Sequence, residues 1–234
     1  MPASILIDDR VLYEQIMRRL KSQADCKNVE GMKRFGINTD GTLGVSVVAL
    51  RRMAREIGKD HGIAERLWSS GIHEARILAS MVDIPESVTE SQMDRWAGDF
   101  DSWDVCDQCC SNLFGETRCA YRKAAQWARD NREFVRRAGY TMMAALAVHD
   151  KKADDRKFVD FLPLIKSGSA DERNFVKKAV NWSLRQIGKR NRRLNGMAIR
   201  MAKEIQGTNT KSARWIAADA IRELTNKKVQ GRLH

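Results

Sequence analysis

The chain has 234 residues, 43% of them hydrophobic and 31% charged, and a formal net charge of +12 at pH 7. This length allows one elongated domain or two small ones with a sizeable core. No apolar run approaches the roughly 20 residues that a membrane span needs, and five cysteines, an odd number, argue against a disulfide framework. The positive charge indicates an anionic partner, most often nucleic acid. The N-terminal sequence lacks the basic start and apolar centre of a signal peptide, which predicts a cytoplasmic location.

Apolar residues recur with helical spacing along the chain, and no segment alternates with the period of two that a strand requires. The first predicted helix begins with Asp8 or Asp9 as its cap and ends at Gln23. A capping box over Thr89–Gln92 marks a further helix start. Further helices are predicted over residues 46–59, 62–71, 72–82, 118–130, 132–149, 154–165, 171–188, 192–206 and 211–226, with a loop over residues 36–44.

Helix pairs recur about every 35 to 40 residues with short joins between them. This spacing favours an all-α fold, an α-solenoid of HEAT-like helical hairpins, as a single domain over residues 1–234. A compact helical bundle is the alternative. Four tryptophans lie in apolar helical positions and are predicted to be core, namely Trp68, Trp96, Trp127 and Trp215.

The stretch Asp94–Phe114 contains a carboxylate on an otherwise apolar helical face. At 100° per residue this face collects Trp103, Cys106, Asp107, Cys110 and Phe114, and we expect it to turn inward. A charged side chain on such a face is expected either to pair with another group or to have a functional role. Because Asp107 lies one turn after Trp103, the pair could form a site for a cationic group. Alternatively, Asp107 caps a neighbouring helix or pairs with an arginine of the scaffold.

Three cysteines of this stretch, Cys106, Cys109 and Cys110, look at first like half of a metal site. The second pair of ligands is missing, and none of the four histidines has ligand spacing near them. We therefore expect small buried thiols that pack a helix, and no metal.

Basic residues are concentrated in the C-terminal half of the chain. The run from Arg185 to Lys203 contains no acidic residue and spans a join between two helices, where side chains and helix N-terminal amides can meet phosphates. A solvated loop is the alternative. The basic residues of the run are Arg185, Lys189, Arg190, Arg192, Arg193, Arg200 and Lys203.

Three further residues point to contact with an anionic partner. Trp182 lies off the apolar stripe of its helix, near Lys178 and Arg185, which indicates contact with a ligand unless it fills a groove between hairpins. Arg136 and Arg137 begin a largely apolar helix, so each guanidinium is expected to be paired or to reach a phosphate.

Five stretches together resemble the AlkD-like family of DNA alkylation-repair glycosylases from about Gly31 to Asn226, whereas residues 1–30 match weakly. The stretches are FGIN…GVSVVALRRMAREI, LWSSGIHEARILASMV, SWDVCD, FVRRAG and VKKAVNWSLRQIGKR. The W-x-x-x-D helix and the later K-A-x-x-W-x-L-R helix are the specific pieces. The resemblance implies HEAT-like repeats with a concave basic surface.

The resemblance also assigns roles to particular residues. The catalytic acid of the family corresponds to Asp107 and its two aromatic residues to Trp103 and Trp182. The arginine that holds a backbone phosphate corresponds to Arg137, with Arg136 as the adjacent alternative. Gly139 departs from the larger apolar residue expected there. Further DNA contacts are expected from Lys178, Arg185, Lys189, Arg190, Arg192 and Arg193.

The activity implied by the resemblance is the release of cationic alkylated purines from duplex DNA, namely 3-methyladenine, 7-methylguanine and bulkier N3 or N7 adducts. The family works without a base-binding pocket, and we expect a monomer with neither metal nor organic cofactor. Since no lysine stands beside Asp107, a Schiff-base lyase step is not expected. Two other functions are considered: a HEAT-like protein that binds distorted duplex without catalysis, and a scaffold for an acidic protein.

Overall fold

The computed structural model describes residues 9–233, and within that range the chain forms α-helices and one 3-10 turn but no strand. The prediction of an all-α fold is therefore confirmed. No helix in this range has both the length and the apolar character needed to cross a membrane. The helices are α1 Asp9–Ser22, α2 Cys26–Arg34, α3 Val47–Ile57, α4 His61–Ser69, α5 His73–Val82, α6 Glu90–Gly98, α7 Trp103–Asn112, α8 Ala120–Trp127, α9 Glu133–His149, α10 Asp155–Val159, α11 Leu162–Gly168, α12 Asn174–Gly188, α13 Arg192–Gln206, α14 Lys211–Leu224 and α15 Lys227–Gln230.

Short polar side chains set the helix starts that the sequence predicted. The side chains of Ser46, Asp60 and Thr89 each accept a hydrogen bond from a backbone N–H of the first turn of α3, α4 and α6. Such caps satisfy amides that have no partner inside the helix. Helix α1 begins at Asp9, and Asp8, the other candidate cap, lies outside the described residues.

The chain divides into two compact units, and the boundary falls between Leu113 and Phe114. In the first unit, α5 packs against α3, α4 and α7. The indoles of Trp68 and Trp96 stack in this unit with ring centroids 4.0 Å apart. Both tryptophans are buried, as predicted.

In the second unit, α9 packs against α8 and α12, and α13 packs against α14. Gly139 explains how closely α9 approaches the end of α8. A Cβ at Gly139 would lie 2.3 Å from the backbone nitrogen of Ala128. The larger residue expected there from the family pattern would therefore separate the two helices. Trp127, at the end of α8, is buried as predicted.

The sequence predictions about helices were incomplete at three places. The helix predicted over residues 154–165 is two short helices, because Pro163 lies in the first turn of α11, where a missing N–H is tolerated. Helix α2 was missed because it has no buried residue and hence no apolar stripe to reveal it. The four-residue helix α15 was also missed.

The prediction that Trp215 is a core residue was wrong, since 42% of it is exposed. The buried face of α14 is built from small and aliphatic residues, including Ile216 and Leu224, and Trp215 lies beside that face. The ammonium of Lys177 lies 5.3 Å from the centroid of the indole. Trp215 is therefore a partly exposed aromatic residue beside a lysine.

Candidate functional site

Helix α7 carries Trp103 and Asp107 on consecutive turns. Both residues are half-buried, and the fully buried face of the helix is formed by Val105, Cys106, Cys109 and Cys110. The predicted inward face was therefore partly wrong. Asp107 and Trp103 lie at its edge, and Phe114 lies beyond the end of the helix, in the 3-10 turn. An edge position lets a carboxylate avoid the cost of full desolvation.

The indole of Trp103 is held by the end of α2. Its Nε1 donates a hydrogen bond to the carbonyl oxygen of Phe35, 3.1 Å away. Phe35 is the C-terminal cap of α2, so its carbonyl belongs to the group that a helix end leaves without an intrahelical partner. Phe35 itself is 72% exposed. The bond therefore orients the indole against the end of α2.

A buried carboxylate fixes the loop that follows Phe35. Glu74 in α5 is 1% exposed and accepts hydrogen bonds from the amides of Leu43, Gly44 and Val45 at 2.8, 2.6 and 3.2 Å. Gly44 has φ +81°, and a Cβ there would lie 2.2 Å from the carbonyl oxygen of Asp25. Glycine is therefore required at this position.

The first turn of α7 is tied to α5 by an ion pair. The Nε2 atom of His73 lies 2.8 Å from Oδ2 of Asp104, and the Ser102 hydroxyl donates to Oδ1 of Asp104 at 2.7 Å. Burial lowers the pKa of His73, but the hydrogen bond and charge of Asp104 outweigh it and leave the pKa raised. Burial likewise raises the pKa of Asp104, and His73 reverses this to a net lowering. The pair is thus stabilised as imidazolium and carboxylate.

Sequence reasoning did not predict these supporting residues. Glu74 and His73 lie in the stretch LWSSGIHEARILASMV, which contributes to the family resemblance. A usable signal was present, because a histidine and a glutamate begin a largely apolar helix that the structure buries. Such charges need partners, and here the partners come from a loop about thirty residues earlier and from the first turn of α7.

The thiols of α7 have the predicted packing role. Cys106, Cys109 and Cys110 are fully buried. Burial raises the pKa of Cys109 well above its ordinary value. Across residues 9–233, no three His, Cys, Asp or Glu side chains come together in a way that could hold a metal ion.

In the second unit, the two arginines that begin α9 are held differently. Arg137 is 6% exposed, and its Nη1 donates to the carbonyl oxygen of Phe175 in the first turn of α12 at 2.6 Å. Arg136 reaches Asp171, with Nη1 and Oδ2 3.4 Å apart, and Asp171 is also bound by Arg173 at 2.6 Å. Arg136 therefore belongs to an ion cluster, and Arg137 is oriented by a backbone carbonyl.

Trp182 lies in α12 and is half-buried. Lys178, one turn before it, is exposed. The stripe that the sequence assigned to the core of this helix is fully buried, which leaves the indole at the side of that stripe. The buried stripe consists of Val176, Val180, Ser183, Leu184 and Ile187.

The basic run from Arg185 to Lys203 contains no acidic residue, but in the structure carboxylates of other helices lie beside it. Arg185 and Lys189 both bind Glu223 of α14, and Nη1 of Arg193 lies 3.3 Å from Oδ2 of Asp155. Arg192, at the start of α13, is exposed. Neighbouring helices therefore supply the carboxylates that the run itself lacks.

Arg190 has contacts of a structural kind. Its Nη1 donates to the carbonyl oxygens of Ala147 and Asp150 at 2.8 and 2.9 Å, and its guanidinium carbon lies 4.0 Å from the ring centroid of Phe158. Ala147 is in the last turn of α9, where carbonyls lack intrahelical partners. This placement indicates that Arg190 caps the C-terminal end of α9. A phosphate contact by Arg190 stays a prediction.

Comparison with known proteins places the chain in a family. The sequence profile described as DNA alkylation repair enzyme matches residues 16–224. The chain belongs to this family. The AlkD-like resemblance drawn from the W-x-x-x-D and K-A-x-x-W-x-L-R helices is thereby confirmed, and the profile spans both units of this alkylation-repair family member. No curated protein sequence matches the chain.

Solved structures support the HEAT-like fold of this family member. One is from "a new family of proteins related to the HEAT-like repeat DNA glycosylases with affinity for branched DNA structures". It aligns with 90% of this chain and 94% of its own, with a TM-score of 0.74 and 21% identity. A crystal structure of an engineered protein aligns with 85% of this chain and 97% of its own at 12% identity, and its TM-score of 0.37 supports no argument. The α-solenoid of HEAT-like hairpins is thus the fold of the chain.

Proposed function

We propose that the protein is a DNA glycosylase that hydrolyses the N-glycosidic bond of cationic N3- or N7-alkylated purines in duplex DNA. The observation that carries the proposal is the half-buried Asp107, one turn after Trp103 on α7, in a chain of the alkylation-repair family. The substrate class would include 3-methyladenine, 7-methylguanine and bulkier adducts. The partner would be alkylated duplex DNA, bound by a monomer without metal or organic cofactor.

The proposed chemistry follows from the charge of the substrate. Alkylation makes the purine a cation, so when the bond between C1′ and the base nitrogen breaks, the electron pair leaves with a neutral base and no strong general acid is needed. The sugar becomes oxocarbenium-like, as in glycoside hydrolysis. A carboxylate already fixed near that sugar stabilises the charge as it develops. Asp107 would supply this carboxylate and orient the water that adds to C1′ with loss of a proton.

The other residues would position the substrate. An indole beside a developing cation contributes roughly 0.5 to 2 kcal/mol of cation–π attraction, and we assign this role to Trp103 and Trp182. Arg137 would bind a backbone phosphate. Its orientation by the Phe175 carbonyl favours it over Arg136, which is engaged with Asp171. A guanidinium has five donors, and the bond to this carbonyl uses one of them.

The proposal is tested by the release of free 7-methylguanine and 3-methyladenine from methylated duplex DNA. Replacing a preorganised electrostatic group typically costs about 10²- to 10³-fold in rate, so we expect Asp107→Asn to lower the single-turnover rate by that factor while duplex binding is retained. Glu86→Gln is the matched control, because it removes one exposed negative charge from the same unit. Equal rates for wild type and Asp107→Asn would contradict the assignment.

A second candidate function is a non-catalytic DNA-binding protein. It is favoured by the solved structure described above, whose protein belongs to a family with affinity for branched DNA structures. Binding of a four-way junction and of an unmodified duplex should therefore be measured beside base release. Tight junction binding without base release from any methylated substrate would favour the second function.

A further inference from the structure

The second unit contains a basic cleft, of which the sequence predicted only Arg185 and Lys189 as DNA contacts. The last turn of α12, the end of α14 and the segment after it enclose about 660 Å³. Five basic side chains and two carboxylates line it, which leaves a net charge of three positive at neutral pH. The basic residues are Arg185, Lys189, Arg222, Lys228 and Arg232, and the carboxylates are Asp219 and Glu223.

The carboxylates occupy one side of this cleft. Glu223 accepts hydrogen bonds from both Arg185 and Lys189, and Asp219 binds Arg222. Burial raises the pKa of Glu223, but its bonds to Lys189 and Arg185 outweigh this and leave the pKa lowered. The carboxylate of Glu223 is therefore a charged acceptor shared by two cations.

Donors in the cleft exceed acceptors. Within residues 9–233, neither Lys228 nor Arg232 forms an ion pair with a carboxylate. The Nε atom of Arg185 is buried and has no hydrogen-bond acceptor among the described residues. A buried donor without an acceptor costs about 1 to 3 kcal/mol, so this N–H marks a position where an additional acceptor would be stabilised. The missing component of the cleft is an anion with several oxygens.

Helix α12 connects the cleft to a residue of the proposed DNA site. Lys189 follows Trp182 by seven residues, which places both on one face of the helix about 10 Å apart at roughly 1.5 Å per residue. Successive phosphates of a duplex strand advance about 3.4 Å along the axis. A strand that runs along α12 from Trp182 would therefore reach Lys189 about three nucleotides away.

We propose that this cleft is a second backbone-phosphate site of the DNA interface, in which the Glu223 carboxylate holds the place that a phosphate takes when DNA binds. The proposal rests on the proposed function, because it takes duplex DNA as the ligand. A phosphodiester can accept bonds from Arg185 and Lys189 as the carboxylate does. It also supplies the acceptors that Lys228, Arg232 and the Nε of Arg185 lack. Glu223, which is only half-buried, would rotate toward solvent.

If a DNA phosphate replaces the Glu223 carboxylate, neutralising Glu223 should raise the affinity for duplex DNA. We expect Glu223→Gln to bind a fluorescent duplex at least fivefold more tightly than wild type. The matched control is Glu204→Gln, which removes an equal charge from another ion pair of the same unit, to Lys166, and reports the general electrostatic effect alone. Equal affinities for the two variants would overturn the proposal.

Removal of basic residues from the cleft should lower the salt dependence of duplex binding. Each phosphate contact contributes about 0.9 to the slope of log K against log salt. We expect the double variant Lys228→Ala/Arg232→Ala to lose about one unit of slope. Lys151→Ala/Lys152→Ala removes the same charge from exposed positions between α9 and α10, outside the basic run, and should lose less. Equal slopes for the two double variants would overturn the proposal.

Inorganic phosphate and the wild-type protein complete the test. If low-millimolar phosphate raises the Tm of wild type but not of the Lys228/Arg232 variant, while their DNA slopes are equal, the ligand is free phosphate and the DNA site is overturned. If wild type binds duplex and releases methylated bases but the cleft variants match their controls, only the cleft proposal fails. If wild type binds no duplex, the proposed function and the cleft proposal fail together.

Discussion

The two units hold their candidate site residues by different means. In the first, the helix of Asp107 is supported by buried charges whose partners are backbone amides and a buried ion pair, as with Glu74 and His73. In the second, basic side chains near the surface are bound to carboxylates of other helices, as Arg185 is to Glu223. The first arrangement fixes geometry, which a catalytic acid requires. The second arrangement holds basic side chains with carboxylates, which another anion can replace.

The largest effect is expected from the buried carboxylate of the first unit. Glu74→Gln puts an amide NH₂ where three backbone N–H groups need an acceptor, and an unsatisfied buried group costs about 1 to 3 kcal/mol. We expect the free energy of unfolding in urea to fall by about 3 kcal/mol, and base release to fall with it because the loop that follows Phe35 is released.

The control for this prediction is Glu65→Gln. Glu65 forms a partly exposed ion pair with Arg95 at 2.6 Å, and such pairs contribute about 0 to 1 kcal/mol. Similar losses for Glu65→Gln and Glu74→Gln would show that the loop does not depend on the buried carboxylate.

The second unit offers a comparison of two neighbouring arginines. Arg190→Gln removes two bonds to carbonyl oxygens and a cation–π contact, so we expect a loss of about 2 kcal/mol. Arg193→Gln breaks a pair whose arginine side chain is 62% exposed and should cost under about 0.5 kcal/mol. In DNA titrations the order reverses: Arg193→Gln should lower the salt slope by about one unit, and Arg190→Gln should leave it unchanged. A slope lowered only by Arg190→Gln would support the sequence prediction that Arg190 contacts DNA.

The smallest effect is a pH dependence in the first unit. Because the pKa of His73 is raised in the folded protein, its stabilising contribution is complete below the unfolded value of about 6.5 and is lost as the pH rises through the folded pKa. The lowered pKa of Asp104 gives a contribution that is present above about 3.9 and is lost as the pH falls through its folded pKa. The pair therefore stabilises most between these limits.

His73→Gln keeps a donor for Asp104 but removes the titration. The unfolding free energy of wild type should exceed that of the variant by about 1 kcal/mol at pH 5.5, since charge-assisted bonds are roughly twice as strong as neutral ones. The difference should shrink by pH 8.5. A difference that is constant across this range would mean that folding leaves the pKa of His73 unchanged.

The sequence was sufficient for the features that depend on local pattern. Helical periodicity and caps such as Thr89 predicted the all-α fold and the helix starts, and the W-x-x-x-D spacing predicted that Trp103 and Asp107 share one helix. The features it missed depend on contacts between distant residues. Glu74 meets amides about thirty residues earlier, and the acid-free run receives its carboxylates from α10 and α14. Trp215 was misassigned because it lies at the edge of the apolar stripe of α14, and the sequence does not show which edge a neighbouring helix covers.

The buried thiols of α7 have a consequence for a protein proposed to work on methylated DNA. Electrophiles that methylate purines also attack thiolates, and the thiolate is the reactive form of cysteine. Cys109 is fully buried, and burial raises its pKa, so it stays protonated and out of reach on the helix that carries Asp107. Ordinary close packing thus makes this helix resistant to the reagents that create the proposed substrate.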